Sequence, residues 1–391
     1  MSTQSPPRHK HQWSLNSKAT RGVIFQVLLV LGIALAVWFL SHNTQRNMER
    51  LGMQSGFDFL TANAGFDIGE KPVEYSPTDS YGKAIWIGVL NTLKVAVTGI
   101  ILTTILGVSL GVGRFSRNVL VRGLCYGYVE AFRNVPLLLQ LLMWYIVYLN
   151  ILPETFEPMN FGDIAFLSKG GLAYPFPTEG VGQVLLGAIG GVIAGVFWRR
   201  HVQKTFEATG KNGDRVWTPI ALVVAGALVG WVIAGAPTKW DVPVHEGFLM
   251  EGGARITPEF LTLLTGLVCY TSAFVAEVVR GGIQSVSRGQ EEAAMALGLT
   301  QGQKMNLVVL PQAMRVIIPS LTNQYLNLTK NSSLAVAIGY PDVVSIAQTT
   351  INQSGRAVEC VAIIMLVYLS TSLTTSGIMN WYNSRMAIKE R

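Results

Sequence analysis

Residues 284–315 read QSVSRGQEEAAMALGLTQGQKMNLVVLPQAMR, and this stretch decides the fold. It is too polar to cross a bilayer, yet it joins two apolar runs, 258–279 and 312–330, each long enough to do so. Ser287 with Gln290 fits a capping box that opens a helix through Glu291, Glu292, Ala293, Ala294 and Leu297, and Gly298 can close that helix in the left-handed conformation. Thr300 with Gln303 fits a second capping box. Pro311 then starts or kinks the next crossing, because proline disfavours helix at Leu310. The spacing thus predicts a helix, a turn and a second helix lying across one face of a membrane. Ala293, Ala294 and Ala296 leave the first helix slim on one side, a shape suited to a groove on another protein.

The rest of the chain supplies the membrane-embedded part. Of 391 residues, 50% are hydrophobic and only 14% charged, which excludes a disordered chain and an ordinary soluble domain of this length. A backbone inside hydrocarbon must satisfy its own hydrogen bonds, so each crossing is a helix of about 20 apolar residues. Such runs occur at 23–41, 86–113, 134–152, 181–198, 217–236, 258–279, 312–330 and 357–378. The expected fold class is an all-α polytopic membrane protein with about eight transmembrane helices. The first run follows Arg8, Lys10, Lys18 and Arg21, but it exceeds a signal-peptide core and lacks a small-residue cleavage site. It reads as a retained anchor.

The net charge of +7 matters less than where the charge sits. With the N-terminus inside, Arg114, Arg117 and Arg122, then Arg199, Arg200, Lys204, Lys211 and Arg215, then Arg280, Arg288, Lys304 and Arg315 fall on the cytoplasmic face. The alternate loops are acidic: 42–85 holds six acids against four bases, and 151–180 holds Glu154, Glu157, Asp163 and Glu179 against Lys169. An even number of crossings returns the tail, Arg385 to Arg391, to the cytoplasm. This distribution leaves no basic surface for nucleic acid. Cys125, Cys269 and Cys360 are too scattered for a disulfide framework, and no HExxH or Cys/His arrangement offers a metal site. Gly187, Gly191 and Gly195, with Gly226 and Gly230, have the small-xxx-small spacing of closely packed membrane helices.

Glu292, Ala293, Ala294, three residues, Gly298, nine residues, Val308, one residue, Leu310 and Pro311 resemble the EAA signature of ABC importer membrane subunits, with Val308 where that family usually has Ile. YVEAFRNVPLLLQLL, YTSAFVAEVVRGGIQSV and LTKNSSLAVAIGYPDVV are similar to blocks of the polar amino acid permeases. The enlarged layout resembles the general L-amino acid permeases of the Aap and Bzt type. The resemblance implies a MetI-like core in the bacterial inner membrane, whose coupling loop, with Glu291, Glu292, Ala293, Ala294, Gly298 and Pro311, docks on a pair of separate ATP-binding subunits. It also implies a second related permease subunit, forming a heterodimer, and a periplasmic amino-acid-binding protein, within a lipid bilayer. The chain itself then binds no cofactor. ATP and Mg belong to the partner, in keeping with the absence of a G-x-x-x-x-G-K-[ST] phosphate loop. On this layout 1–85 is a tail, anchor and periplasmic loop, 86–152 the first part of the core, 153–257 an insertion with two extra crossings, and 258–391 the second part with the loop 284–311.

Lys94, Glu130, Arg133, Glu277, Lys330 and Glu359 fall at membrane depth, where ionisable groups face a cavity or a partner. Glu130 with Arg133 and Glu277 with Arg280 have the i, i+3 spacing of local ion pairs. Ser320, Asn323, Asn327 and Lys330 or Asn331 recur as a polar stripe along the seventh crossing, suited to a water-lined path. Asn331, Ser332 and Ser333 then interrupt the helix, where free amides and hydroxyls can meet a zwitterion. The competing reading of the same stripe is interhelical hydrogen bonding at the subunit interface. Gly107, Val108, Ser109, Leu110 and Gly111 satisfy the G-x-S-x-G of hydrolases, but they lie inside an apolar helix without the strand such an elbow needs. An ion-gradient-driven secondary transporter is the alternative, and the EAA-like loop stands against it.

Overall fold

Among the described residues of the computed structural model, six helices are long and apolar enough to cross a membrane, and a bent helix pair makes a seventh span if its two halves are taken as one. The structure describes residues 18–50, 56–209, 213–214, 217–246 and 249–386. Arg8, Lys10, Lys211, Arg215 and the tail from 387 lie outside the described residues. In chain order the helices are α1 (Lys18–Arg50), α2 (Tyr81–Gly113), α3 (Val119–Arg133), α4 (Leu137–Ile151), α5 (Val181–Thr209), α6 (Trp217–Ile233), α7 (Pro258–Gln284), α8 (Arg288–Ala296), α9 (Gln301–Lys304), α10 (Leu310–Asn331), α11 (Val343–Ser354) and α12 (Ala357–Met386). The polytopic helical class expected from the apolar runs is what the structure has. α6, at 17 residues, is the short member of that set.

The third expected crossing, 134–152, takes a different form. α3 and α4 meet at 106° across Asn134–Pro136. Pro136 has no N–H to continue a helix and biases Val135 away from helical backbone, so the chain turns there. Between α4 and α7 the chain also forms short strands that no alternation in the sequence flagged: β1 (Met159–Phe161), β2 (Ala165–Ser168), β3 (Gly171–Tyr174), β4 (Phe176–Pro177), β5 (Trp240–Asp241), β6 (Val244–Glu246), β7 (Leu249–Glu251) and β8 (Ala254–Ile256). β1, β2, β3 and β8 make one antiparallel sheet in that order, with Leu172 opposite Ile256.

α2 and α7 form the centre. Thr257 caps α7 by accepting a hydrogen bond from the Phe260 N–H at 3.2 Å, with Pro258 in the first turn where its missing N–H costs nothing. Gly107 and Gly111 bring the two helices together: a Cβ at Gly107 would lie 2.5 Å from Val275 Cγ1, and one at Gly111 2.8 Å from Val279 Cβ. The apparent nucleophile elbow is therefore a packing seam. The Ser109 hydroxyl donates to the Ile105 carbonyl at 2.7 Å within its own helix. α5 and α6 close on each other in the same way, where a Cβ at Gly226 would meet the Gly187 carbonyl oxygen at 2.2 Å and one at Gly230 the Gln183 carbonyl oxygen at 2.2 Å. α1 is exposed along almost its whole length, as suits a helix surrounded by lipid.

At the end of the bundle where α7 begins, the segment before α2 folds inward. The buried Glu70 pairs with Lys94 and accepts from the Thr257 hydroxyl at 2.6 Å, while Asn91 donates to the Glu70 and Pro341 carbonyls at 3.0 and 2.9 Å. Lys94 also lies 4.4 Å from the centroid of the Phe260 ring. Glu359 accepts from the Gly56 N–H at 2.7 Å. Two of the ionisable groups expected at membrane depth, Lys94 and Glu359, are thus occupied in joining segments of the chain.

Candidate functional site

The loop after α7 is built as the sequence spacing predicts, with two differences. Gly298 ends α8 at φ +72°, the Leu299 N–H reaches the Ala294 carbonyl at 3.2 Å, and the Gly298 N–H reaches that of Met295 at 2.9 Å. That double closure is a Schellman motif. The Thr300–Gln303 capping box forms, with both reciprocal bonds present. The Ser287–Gln290 box does not: Ser287 occupies the cap position but its side chain makes no capping bond, and only the backbone closes, Gln290 N–H to Ser287 carbonyl at 3.0 Å.

Pro311 stands in the first turn of α10, as expected, but that helix does not start afresh. α9 runs into a π turn, Met305–Val309, and then into α10, so that residues 301–338 make one rod of 38 residues. The Leu310 N–H bonds the Met305 carbonyl, five residues back, and Leu310 keeps helical backbone at φ −60° and ψ −43°. A widened turn of this kind relieves the clash and the missing donor that a proline brings to a helix.

Lys304, immediately before the π turn, crosses to α8 and pairs with Glu291 at 2.6 Å. This tie seats α8 on α9, and Ala294 is buried at 2% exposure. Ala294 therefore belongs to the seat, contrary to the expectation that all three alanines line the open side. Glu292, Ala293 and Gly298 are exposed, Glu291 and Pro311 half-buried. Beside them Met295, Leu297 and Leu307 are exposed at 50%, 80% and 66%, an apolar surface on an otherwise polar element.

Higher in the bundle α7 and α10 enclose a polar cleft of about 330 Å³, lined by Tyr270, Thr271, Phe274, Gln324, Asn327 and Asn331. Of the expected polar stripe, Asn327 and Asn331 line it. Ser320, Asn323 and Lys330 do not, and the Ser320 hydroxyl returns to the Val316 carbonyl at 3.1 Å. Gln324 was absent from the expected stripe, although its i, i+3, i+7 relation to Asn327 and Asn331 was there to be read. The break expected at Asn331–Ser333 takes the form of a tightened 3₁₀ turn, Ser332–Ile338. Ser332 and Ser333 donate to the Thr329 and Lys330 carbonyls at 2.7 and 2.8 Å, so those hydroxyls are engaged with the backbone.

Between loop and cleft sits one carboxylate with three guanidinium groups. Glu277 pairs with Arg280, its neighbour on α7, as the i, i+3 spacing predicts. Arg114 from the end of α2 reaches it at 2.5 Å and Arg133 from α3 at 3.8 Å. The expected Glu130–Arg133 pair is not made. Arg133 turns toward Glu277 across the helix interface, and Glu130 instead accepts from Asn134 at 3.4 Å. The bend at Pro136 ends α3 at Arg133 and leaves its side chain free to do so.

Among the described residues no group of three or more His, Cys, Asp or Glu side chains could hold a metal. The arrangement is one of transmembrane helices around a polar cleft, with a rigid loop at one end. Residues 99–388 match the family model described as binding-protein-dependent transport system inner membrane component. The chain belongs to that family. The chain is 45% identical over 391 residues to the general L-amino acid transport system permease protein AapQ of Rhizobium johnstonii, covering 98% of each chain. It is 40% identical over 402 residues to the glutamate/glutamine/aspartate/asparagine transport system permease protein BztB of Rhodobacter capsulatus, covering 93% of each. Among solved structures it is similar to a chain of an amino acid ABC transporter, at 21% identity and a TM-score of 0.47, over 78% of this chain and 95% of that one.

Proposed function

We propose that this chain is a permease subunit of an ATP-driven amino acid importer in the bacterial inner membrane, forming half of the path with a second, related permease subunit. Both termini face the cytoplasm, and a solute-binding protein delivers substrate at the opposite end, where the segment before α2 and the short strands lie. The chain performs no catalysis. ATP and Mg are handled by a separate pair of subunits, and α8, its turn and α9 are where that pair docks.

One observation carries this reading. α8 is held to α9 by Lys304–Glu291 and a Schellman closure, yet its other side leaves Glu292, Ala293, Met295 and Leu297 exposed. A loop fixed so firmly and covered by none of the described residues is suited to transmitting a push from a partner. Full-length likeness to AapQ and BztB supports the amino acid cargo.

Glu292→Lys places the wrong charge on the exposed face, and Gly298→Asp puts a side chain at φ +72°, where glycine is favoured. Each is expected to abolish uptake and weaken co-purification of the ATP-binding subunits while the chain still inserts in the membrane. Normal uptake in both variants overturns the docking role.

A further inference from the structure

α5 and α6 touch backbone to backbone. A Cβ at Gly187 would lie 2.1 Å from the Gly226 carbonyl oxygen, and one at Gly191 2.4 Å from that of Leu222. So close an approach leaves the larger side chains beside the glycine seam standing as two walls. Val181, Val184 and Leu185 on α5 and Val224, Ala227 and Leu228 on α6 line the groove between them, which holds about 600 Å³. Its mouth lies where Gly180 precedes α5 and Pro237 follows α6, bordered by the indoles of Trp231 and Trp240. Tryptophan gathers at the membrane–water boundary, so the mouth sits at headgroup level.

The length of the groove distinguishes its occupants. On α6 the lining runs from Trp231 inward to Val223, an advance of about 12 Å along the helix. The hydrocarbon of one leaflet is about 15 Å deep, half of the bilayer core. The groove therefore spans one leaflet and stops, which is the reach of an acyl chain and half that of a crossing helix. The apolar cleft between α2, α10 and α12, about 760 Å³, differs in this respect: its lining runs from Ile363 to Met379, about 24 Å along α12, past the middle of the bilayer.

The charges at the mouth are mixed. Glu179 is the one ionisable group lining the groove among the described residues, and Lys239 and Asp241 flank Trp240 in sequence; all three are exposed. The paired strands β4 and β5 hold them there. Pro177 stands opposite Trp240, and the Thr178 N–H and hydroxyl both donate to the Lys239 carbonyl, at 3.4 and 3.2 Å. A phosphodiester meets Lys239, and a primary ammonium on the same headgroup meets Glu179 or Asp241. With two acids to one base, a headgroup carrying net negative charge meets repulsion.

We propose that this groove binds one phospholipid with a zwitterionic, primary-ammonium headgroup, its acyl chain lying between α5 and α6 and its ammonium meeting Glu179. The site goes beyond the import reading and does not depend on the cargo. The test is native mass spectrometry of the whole complex, permease pair with ATP-binding subunits, released from nanodiscs holding equal amounts of phosphatidylethanolamine and phosphatidylglycerol. The wild-type complex is expected to retain one more phosphatidylethanolamine than Ala227→Trp or Val224→Trp, whose indoles fill the groove from its wall and leave the glycine seam intact. Size-exclusion chromatography checks that each variant complex is assembled. Glu179→Lys, at an exposed position before α5, should shift the retained lipid toward phosphatidylglycerol by roughly tenfold. Equal retention in the wild type and both tryptophan variants, or an unchanged headgroup preference in Glu179→Lys, would overturn the proposal. So would an electron cryo-microscopy map of the complex with a protein helix, α1 or one from a companion subunit, lying in the groove.

Discussion

Lys304→Met removes the tie that seats α8, and its effect can be worked from the geometry. The Lys304 ammonium lies 2.6 Å from Glu291, with the lysine side chain 9% exposed and the glutamate 36%. A fully exposed pair contributes up to about 1 kcal/mol, and breaking a fully buried one costs about 3–5 kcal/mol. A pair buried on one side only falls between, at about 2 kcal/mol, or roughly thirtyfold in the equilibrium between seated and detached α8. Amide hydrogen exchange across Arg288–Ala296 reads that equilibrium directly. Exchange in Lys304→Met should accelerate by about that factor, and affinity for the ATP-binding subunits should fall with it. Lys304→Glu should be worse, since it sets two acids face to face. The double exchange Glu291→Lys with Lys304→Glu should recover much of the loss, as a coupled pair does. Unchanged exchange in Lys304→Met, or a double variant no better than Lys304→Glu alone, would refute the assignment of rigidity to this pair.

Ser109→Ala should leave uptake at the wild-type rate, because its hydroxyl only returns to the Ile105 carbonyl; a transport assay in vesicles checks this, and loss of uptake would reopen a chemical role. Gly107→Val, by contrast, drives a branched side chain into Val275, and overpacking of that kind costs about 1–3 kcal/mol or more, seen as a lowered thermal midpoint. Gly226→Leu sets its Cβ against a backbone oxygen that cannot swing aside, so α5 and α6 should separate and become sensitive to limited proteolysis; resistance equal to the wild type would show that the crossing does not depend on glycine.

The features legible in the sequence were those fixed locally. Gly298, Thr300 with Gln303, and the apolar runs other than 134–152 each act within a few residues, and the structure has them where the spacing puts them. The features missed depend on distant partners. Arg133 has Glu130 one turn away, but Glu277 on another helix competes for it, and no spacing rule describes a contact between residues 144 positions apart. Ser287 and Gln290 satisfy the capping pattern, yet Gln290 has another partner within reach, accepting at 3.4 Å from Gln312. The strands between α4 and α7 are two to four residues long, too short for alternation to register. Pro311 read as the start or kink of a crossing because proline disfavours helix at the residue before it, and the π turn that carries the helix past Leu310 leaves no pattern of apolar positions. In the cleft the polar stripe was visible, but which of its members turn inward depends on where α7 lies.

The surplus residue in that π turn has a geometric effect on everything beyond it. An α-helix advances about 100° per residue around its axis, so one extra residue in a turn shifts the azimuth of the following side chains by about that amount. In an unbroken α-helix with the same loop below it, Asn327 and Asn331 would point roughly a quarter-turn away from α7. The loop at one end of the rod and the amides further along are therefore set in rotational phase by Met305–Val309.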